Sequence, residues 1–218
     1  MSAKQIVIYG AGGFAREVAW LVESCCEGKQ PYCVACFVDD DVQMQGKILN
    51  GLPVLDLATA RVQYPGALAI VAVGSPTTRQ LMAQKAAAIG FSFATLVHPR
   101  VERSQWIEVG QGTVICAGNI LTTNITLGEH VQVNVDCTIG HNAILGDYTT
   151  LAPGVHVSGW VHFGRRVYVG TGAVIINGTK DRPLTIADDV VIGAGACVTK
   201  SVEAGLTVVG VPARPLQR

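Results

Sequence analysis

The sequence has few charged and few aromatic residues, and both scarcities narrow the classes of protein it can encode. Only 15% of the 218 residues are charged and 6% are aromatic, whereas 49% are hydrophobic. So large an apolar fraction excludes an intrinsically disordered chain, which has too little apolar surface to bury. The 16 basic residues are balanced by 16 acidic ones. The chain therefore has no excess of positive charge with which to bind a nucleic acid.

Long hydrophobic runs are also missing. The longest strongly apolar run, residues 67–73, is far shorter than the roughly 20 residues that a helix needs to cross a bilayer. The chain begins directly with an apolar strand pattern and shows no basic segment followed by a cleavage site. We therefore expect a cytoplasmic protein without a membrane partner.

The seven cysteines show no framework of disulfides or zinc ligands. Cys33 and Cys36 form a C-x-x-C pair, but they lie in a strand-like run in which residues three apart face opposite sides. A redox pair favours a helix N-terminus, and a zinc site needs a second pair of ligands. We expect buried free thiols here and no metal site.

Strand and helix patterns alternate over roughly the first hundred residues. Apolar runs at 5–9, 32–38, 67–73 and 91–97 predict strands, and apolar residues at helical spacing predict a helix over 14–24. Ser75 followed by Pro76 predicts the N-cap and first turn of a second helix, which ends near residue 89. Such alternation indicates an α/β domain with a parallel sheet.

From about residue 100 a six-residue period replaces this alternation. Twelve positions in steps of six, from Val109 to Ile175, are all apolar. Because about half of all residues are apolar, random placement would produce this in about one of several thousand sequences. A strand period of two or a helix period of 3.6 does not give a strict six. A β-solenoid does, with the apolar residue inward and a glycine or small polar residue turning the corner.

The six-residue register is interrupted once. It breaks at residues 177–183 and resumes at Ile186, Ile192 and Val198. We interpret the break as a loop that projects from the coil.

With these motifs the chain resembles the sialic-acid and bacillosamine-type sugar O- and N-acetyltransferases, a branch of the hexapeptide-repeat acyltransferases. The resemblance lies in the [LIV]-G-x-x-x-x hexads and in the motifs at residues 10–17, 37–40, 72–75, 140–141 and 210–213. It implies an α/β N-terminal Rossmann-like mononucleotide-binding domain over 1–97. A left-handed parallel β-helix over 98–218 would follow, and the family assembles as homotrimers that use acetyl-CoA.

The glycine-rich segment after the first strand is a candidate phosphate site. Gly10, Gly12 and Ala15 fit G-x-G-x-x-[GA] at the start of a helix, where backbone N–H groups can approach a phosphate. A full dinucleotide fold needs two such halves, and the residues before the solenoid leave room for one. A tight turn without a ligand is the alternative. We predict a nucleotide-sugar site with these residues: Gly12, Gly13 and Phe14 at the diphosphate, Asp39 and Asp40 at the base or ribose, and Gly74 and Ser75 along the crevice.

His141 is the candidate catalytic residue among the five histidines. It lies two residues past the inward Ile139, so its side chain points outward. Three hexads make one coil, so Gly159 stacks 18 residues further along and leaves a slot that a pantetheine arm could use. The resemblance makes His141 the general base. In the family an acidic residue usually follows and raises the basicity of this histidine, whereas here Asn142 follows.

The resemblance also implies where acetyl-CoA binds, in a groove between neighbouring subunits at Thr150, Gly159, Gly193 and Ala194. Together these features predict an acetyl-CoA-dependent N-acetyltransferase that acts on a UDP-, dTDP- or GDP-linked 4-amino-4,6-dideoxy sugar. Its product would enter O-antigen or lipopolysaccharide synthesis. Two alternatives stay open: an O-acetyltransferase acting on sialic acid or another sugar, and a non-catalytic trimer that binds nucleotide sugars.

Overall fold

The chain folds as two compact units, Met1–Pro99 and Arg100–Arg218. The structure is a computed structural model, and it describes residues 3–25 and 32–216. Within these two ranges no helix combines the length and the apolar character required to traverse a bilayer.

The N-terminal unit is a five-stranded sheet with helices. The elements are β1 Lys4–Tyr9, α1 Gly13–Cys25, β2 Tyr32–Val38, β3 Ile48–Leu49, β4 Leu52–Leu55, α2 Leu57–Gln63, β5 Leu68–Val71, α3 Pro76–Ala88 and β6 Leu96–Val97. The strands of the sheet follow the order β3-β4-β2-β1-β5, in which only the β3–β4 pair is antiparallel. The residues of β1 from Ile6 to Tyr9 are fully buried, and the strand lies between β2 and β5.

The second helix of the sequence analysis starts where it was expected. Ser75 Oγ accepts a hydrogen bond from the Thr78 N–H, and Pro76 occupies the first turn of α3, so the predicted N-cap is confirmed. The strand expected over 91–97 is shorter: β6 covers only two residues, and Phe93 forms an isolated bridge to Ala69. The β3–β4 hairpin and α2 were not predicted because they are too short to show a periodic pattern.

The C-x-x-C pair shows two different environments. Cys36 is fully buried, Cys33 is half-buried, and neither forms a disulfide. Burial raises the pKa of the Cys36 thiol to about 12, so it is inert at neutral pH. The expectation of a buried thiol is confirmed for Cys36 but not for Cys33.

The second unit is a β-solenoid with three sheets, which we call the first, second and third face. The first face contains Glu102–Arg103, Ile120–Leu121, Thr138–Ile139, His156–Val157, Val174–Ile175 and Cys197–Val198. The second face contains Ile107–Val109, Ile125–Leu127, Ile144–Leu145, Val161–Phe163 and Leu184–Ile186. The third face contains Val114–Ile115, Gln132–Val133, Thr150–Leu151, Tyr168–Val169, Val191–Ile192, Thr207–Val209 and, antiparallel to the last of these, Arg214–Pro215.

The six-residue register corresponds to the core of this unit. Eleven of the twelve stepped positions are buried and only Val109, in the first coil, is half-buried. Thr138 pairs with His156, 18 residues further on, as three hexads per coil require. At the interruption, Val161 pairs with Leu184 instead of Thr179, so residues 177–183 lengthen one coil without disturbing the core.

The chain turns the corners of the solenoid at a position of the six-residue repeat that differs from the predicted one. A left-handed φ recurs every six residues, three positions after each inward residue, as at Gly112, Gly118, Asn124 and His130. The glycines directly after the inward residue serve another purpose, since a Cβ on Gly140 would lie 2.6 Å from the Gly159 nitrogen in the next coil. These glycines are therefore required by the close approach of coils rather than by φ.

Candidate functional site

The carboxyl ends of β1, β2 and β5 surround a cavity of about 660 Å³ in the N-terminal unit. This edge of a parallel sheet is where α/β domains bind ligands. The structure brings six of the seven predicted substrate residues together in its lining: Gly12, Gly13, Phe14, Asp39, Asp40 and Gly74. Ser75 is not among the lining residues, because its hydroxyl caps α3 instead.

The glycine loop over this cavity contains one position that only glycine can occupy, Gly10, and two glycines with free space beside them, Gly12 and Gly13. Gly10 has a φ of 126°, and a Cβ there would lie 2.9 Å from the Ala72 carbonyl oxygen, so only glycine fits. No atom lies within 4 Å of a Cβ built on Gly12 or Gly13. The space beside these two residues therefore belongs to the cavity, where a phosphate could approach their N–H groups.

Asp39 fixes this loop in place. Its Oδ2 accepts a hydrogen bond from the Ala11 N–H at 3.1 Å, and its Oδ1 accepts one from the Asp41 N–H at 2.9 Å. Both carboxylate oxygens are thus engaged with backbone. The structure thus gives Asp39 a role in shaping the loop, and its contact with base or ribose stays a prediction.

Asp40 forms a small charged network at the cavity wall. The Tyr9 hydroxyl donates to Oδ1 and Lys85 Nζ donates to Oδ2, both at 2.6 Å. Burial opposes ionisation of Asp40, but the hydrogen bonds from Lys85 and Tyr9 outweigh it and lower the pKa of Asp40. Burial and the neighbouring Asp40 together raise the pKa of Tyr9. Asp40 therefore stays a carboxylate, and Tyr9 stays a hydrogen-bond donor.

The contribution of α3 to the cavity was not predicted from the sequence. Thr78, Leu81, Met82 and Lys85 all line it. Their spacing of three, four and seven residues puts them on one face of the helix. This face mixes apolar and polar residues, so it does not show the continuous apolar pattern of a helix face that packs on the core. The helical spacing of these residues, directly after a strand, is the sequence feature that could have predicted their place at the cavity.

His141 lies at the corner between the first and second faces, in the solenoid unit. The chain turns there because Asn142 has a φ of 58°, a conformation that asparagine tolerates better than most residues. Asn142 Oδ1 lies 3.0 Å from His141 Nδ1. In the tautomer that carries its proton on Nδ1, the imidazole donates to this amide oxygen and presents the lone pair of Nε2. Such an imidazole can act as a base.

The imidazole rests on the next coil. A Cβ on Gly159 would lie 2.6 Å from both Cε1 and Nε2 of His141. The imidazole thus covers the backbone of Gly159, and the passage of a pantetheine arm beside this contact stays a prediction.

Trp160 holds the other side of the histidine. Its ring meets the imidazole edge-on, at 6.4 Å between centroids and 84° between planes. The backbone N–H of Trp160 donates to the His141 carbonyl at 2.9 Å. Trp160 has a φ of 58°, which is a strained conformation for so bulky a residue. The same left-handed φ recurs at the other corners, so the coil imposes it on Trp160.

The projecting loop is anchored at the same corner. The Gly178 N–H donates to the Gly159 carbonyl and the Leu184 N–H to the Trp160 carbonyl, both at 3.0 Å. The loop over residues 177–183 therefore begins and ends on the two residues that flank the imidazole.

The predicted acetyl-CoA residues do not gather around His141 within one chain. Gly159 contacts the imidazole, but Thr150 is buried on the third face. Gly193 and Ala194 follow the third-face strand Val191–Ile192, at the corner before the first face. One chain thus carries the histidine and most of the predicted coenzyme residues at different edges of the solenoid.

Comparison with known proteins gives a consistent picture over the whole chain. Residues 5–86 match the model of the PglD N-terminal domain. The GDP-perosamine N-acetyltransferase of Escherichia coli O157:H7 is 34% identical over 212 residues, which cover 97% of this chain and 96% of that protein.

Solved structures agree over the same length. WeeI from Acinetobacter baumannii superposes with a TM-score of 0.89 at 34% identity, covering 98% of this chain and all of that one. Perosamine N-acetyltransferase from Caulobacter crescentus, in a histidine-to-asparagine variant bound to CoA and GDP-perosamine, gives a TM-score of 0.89 at 28% identity. That match covers 100% of this chain and 99% of the relative.

Proposed function

This chain belongs to the family of sugar acetyltransferases that includes GDP-perosamine N-acetyltransferase, and from its two sites we propose its reaction. It transfers an acetyl group from acetyl-CoA to the amine of a nucleotide-linked 4-amino-4,6-dideoxy sugar. The observation that carries this proposal is the presence, in one chain, of a cavity under a glycine loop and an outward histidine with Nε2 available.

The cavity of the N-terminal unit suits a nucleoside diphosphate. The open N–H groups at Gly12 and Gly13 lie at the start of α1, where backbone amides and the helix dipole favour an anion. Lys85 adds a cation to the same wall. Because relatives over the full chain are named for GDP-perosamine, this compound is our first acceptor, ahead of UDP- and dTDP-linked amino sugars.

His141 supplies the proton transfer. Its Nε2 accepts a proton from the sugar amine as the nitrogen attacks the thioester carbonyl carbon. The carbon–sulfur bond then breaks, the coenzyme A thiolate leaves, and the imidazolium returns the proton to it. The products are the acetamido sugar and free coenzyme A, so no side chain of the enzyme is acetylated.

The position of the coenzyme residues supports an assembly in which subunits share sites. A single chain separates Thr150, Gly193 and Ala194 from His141, and a trimer around the solenoid axis would place one subunit's third face near the next subunit's histidine. We propose this trimer, a left-handed coil, and action in the cytoplasm, where nucleotide sugars and acetyl-CoA are found together. The acetyl-CoA groove would then lie between two subunits.

The test supplies the purified chain with acetyl-CoA and GDP-perosamine, or with UDP- and dTDP-linked 4-amino sugars. We expect acceptor-dependent release of coenzyme A thiol and a product heavier by one acetyl group, joined as a hydroxylamine-resistant amide. Turnover of free or linked sialic acid to a hydroxylamine-labile ester would instead favour O-acetylation. Thermal stabilisation by a nucleotide sugar without thiol release from any acceptor would indicate a binding protein.

A further inference from the structure

Asn177 lies in the same column of the solenoid as His141, two coils further along. The residues of this column are 18 apart along the chain: Thr123, His141, Gly159 and Asn177. One backbone hydrogen bond repeats between successive coils, from the N–H of Asn142 to the carbonyl of Thr123, from Trp160 to His141 and from Gly178 to Gly159. The column therefore continues in register up to Asn177, where the projecting loop begins.

Gly159 leaves this column without a side chain between His141 and Asn177. The imidazole lies over it, since a Cβ on Gly159 would be 2.6 Å from His141 Nε2. Nε2 is thus at the level of the Gly159 coil, and neighbouring strands lie about 4.8 Å apart. The side chain of Asn177 therefore begins about one strand spacing beyond the nitrogen of the proposed base.

The side chain of Asn177 is exposed, and only one end of its amide is engaged. Its Nδ2 donates to the Gly178 carbonyl at 3.1 Å. In the part of the chain that the structure describes, residues 3–25 and 32–216, its Oδ1 accepts no hydrogen bond. An amide oxygen is an acceptor, so this atom can accept a hydrogen bond from a substrate.

The backbone holds Asn177 in place from both sides. Before it, the Ile176 N–H donates to the Val198 carbonyl at 3.1 Å. After it, a Cβ on Gly178 would collide with the Trp160 carbonyl, so only glycine fits there. A fixed backbone of this kind suits a side chain that has to orient a reacting group.

An amine and a hydroxyl differ in the number of hydrogens that they bring to a pair of acceptors. A primary amine has two, so it can donate one to His141 Nε2 and the other to Asn177 Oδ1. A tetrahedral nitrogen that donates two hydrogen bonds of about 2.9 Å spans about 4.7 Å between its acceptors, which is close to the strand spacing. A hydroxyl has one hydrogen, so it pairs with His141 and leaves Asn177 without a partner.

We propose that Asn177 selects an amine over a hydroxyl as the acceptor, an inference that rests on the proposed function. His141 takes one hydrogen of the amine as a proton when the nitrogen attacks the thioester carbon. The hydrogen that Asn177 holds stays on the nitrogen and becomes the N–H of the acetamido product. An ester product has no such hydrogen, so the preference applies to the transition state as well as to the bound acceptor.

The experiment measures kcat/KM for GDP-perosamine and for the GDP-linked 6-deoxyhexose with a hydroxyl in place of the amine. Asn177→Leu has no acceptor and should lower kcat/KM for the amine about three- to tenfold, the effect of losing one hydrogen bond. The value for the hydroxyl sugar and the KM for acetyl-CoA should stay unchanged. Asn177→Asp keeps an acceptor oxygen and should retain the selectivity. Thr123→Val, in the same column on the other side of His141, is the matched control and should change neither value.

The outcomes separate this inference from the proposed function. If the wild type acetylates GDP-perosamine but Asn177→Leu is unchanged, slows both acceptors equally or is no slower than Asn177→Asp, the role of Asn177 is wrong and the reaction stands. If the wild type transfers no acetyl group, calorimetry with the same two nucleotide sugars replaces kinetics. An affinity advantage of the amine that Asn177→Leu abolishes then supports the contact, and an advantage that is absent or that survives this change overturns it.

Discussion

The imidazole of His141 lies directly on the backbone of Gly159, one coil further along the solenoid. A Cβ at residue 159 would be 2.6 Å from both Cε1 and Nε2 of the ring. The contact exists because the hexad repeat stacks residues 18 apart, so a glycine in one coil sets the position of a side chain in the previous coil. Through this contact, a residue with no side chain controls the orientation of the proposed base.

Gly159→Ala should therefore impair the reaction more than the fold. The new methyl group displaces the imidazole, and we expect kcat to fall about tenfold or more, because a misplaced base loses much of its contribution. The melting temperature should change little, since a side chain rather than backbone has to move. Gly140→Ala is the matched control: its Cβ meets backbone of the next coil at 2.6 Å, so it should lower the melting temperature clearly.

His141→Asn should leave both substrates bound and reduce turnover by about 10²–10⁴, the usual contribution of a positioned acid–base group. Asparagine keeps hydrogen-bonding capacity but cannot accept the amine proton. The measurement is steady-state kinetics together with calorimetric binding of GDP-perosamine and coenzyme A. More than half of the wild-type turnover in the variant would place the base elsewhere.

The solenoid could be predicted from the sequence because its inward apolar residues recur every six positions, whatever packs around each of them. The inward residues, the coil length and the contact between His141 and Gly159 all follow from one six-residue period. The corners did not follow, because the left-handed positions carry residues as different as Asn142 and Trp160. Backbone conformation at those positions is imposed by the coil and not by the preference of each residue.

The cavity of the N-terminal unit was predicted in part. The glycine loop and the strand ends have a local signature, so Gly12 and Asp40 could be assigned to one crevice. The pairing of Asp40 with Lys85 joins residues 45 positions apart, and only the packing of α3 on the sheet brings them together. Ser75 was predicted to line the crevice because it directly follows Gly74, but its hydroxyl serves as the N-cap of α3 instead.

Gly12→Val tests the glycine loop. No atom lies within 4 Å of a Cβ built on Gly12, so the fold should tolerate the change, while the phosphates lose their approach to the N–H groups. Loss of a hydrogen bond to a charged group costs about 1.5–3 kcal/mol, which predicts an increase of about 10- to 100-fold in the Kd for GDP. Gly66→Val, which also meets no atom within 4 Å but lies outside the cavity, should leave the Kd unchanged. An equal effect of both variants would contradict the assignment.

Lys85→Met should weaken GDP binding with little loss of stability at neutral pH. The Lys85–Asp40 pair is about half-exposed, so solvent screens its contribution to folding, but the variant removes a cation from the cavity. Salt should therefore weaken GDP binding less in the variant than in the wild type. Lys47→Met, which removes an exposed cation outside the cavity, is the control and should change neither quantity.

The same variant has a defined pH dependence. Lys85 lowers the pKa of Asp40 in the folded protein, so the pair stabilises the fold at neutral pH and this stabilisation disappears as the pH falls through the folded-state value. The small difference in melting temperature between wild type and Lys85→Met should therefore persist above about pH 5 and shrink as the pH falls through and below the ordinary carboxyl range of about 4. A difference that grows on acidification would show that the pair does not stabilise the ionised carboxylate.

Trp160→Asn tests whether the strained backbone or the ring of Trp160 matters for the proposed base, His141. Asparagine adopts the left-handed φ of this position more readily than tryptophan, a gain of about 1 kcal/mol that offsets part of the lost packing of a half-buried ring. The melting temperature should thus stay within a few degrees of wild type, while kcat falls about tenfold, because the imidazole loses its edge contact. Trp160→Phe keeps an aromatic edge at the same φ and should retain most of the turnover. If the phenylalanine variant were as slow as the asparagine variant, the ring at residue 160 would not be what positions His141.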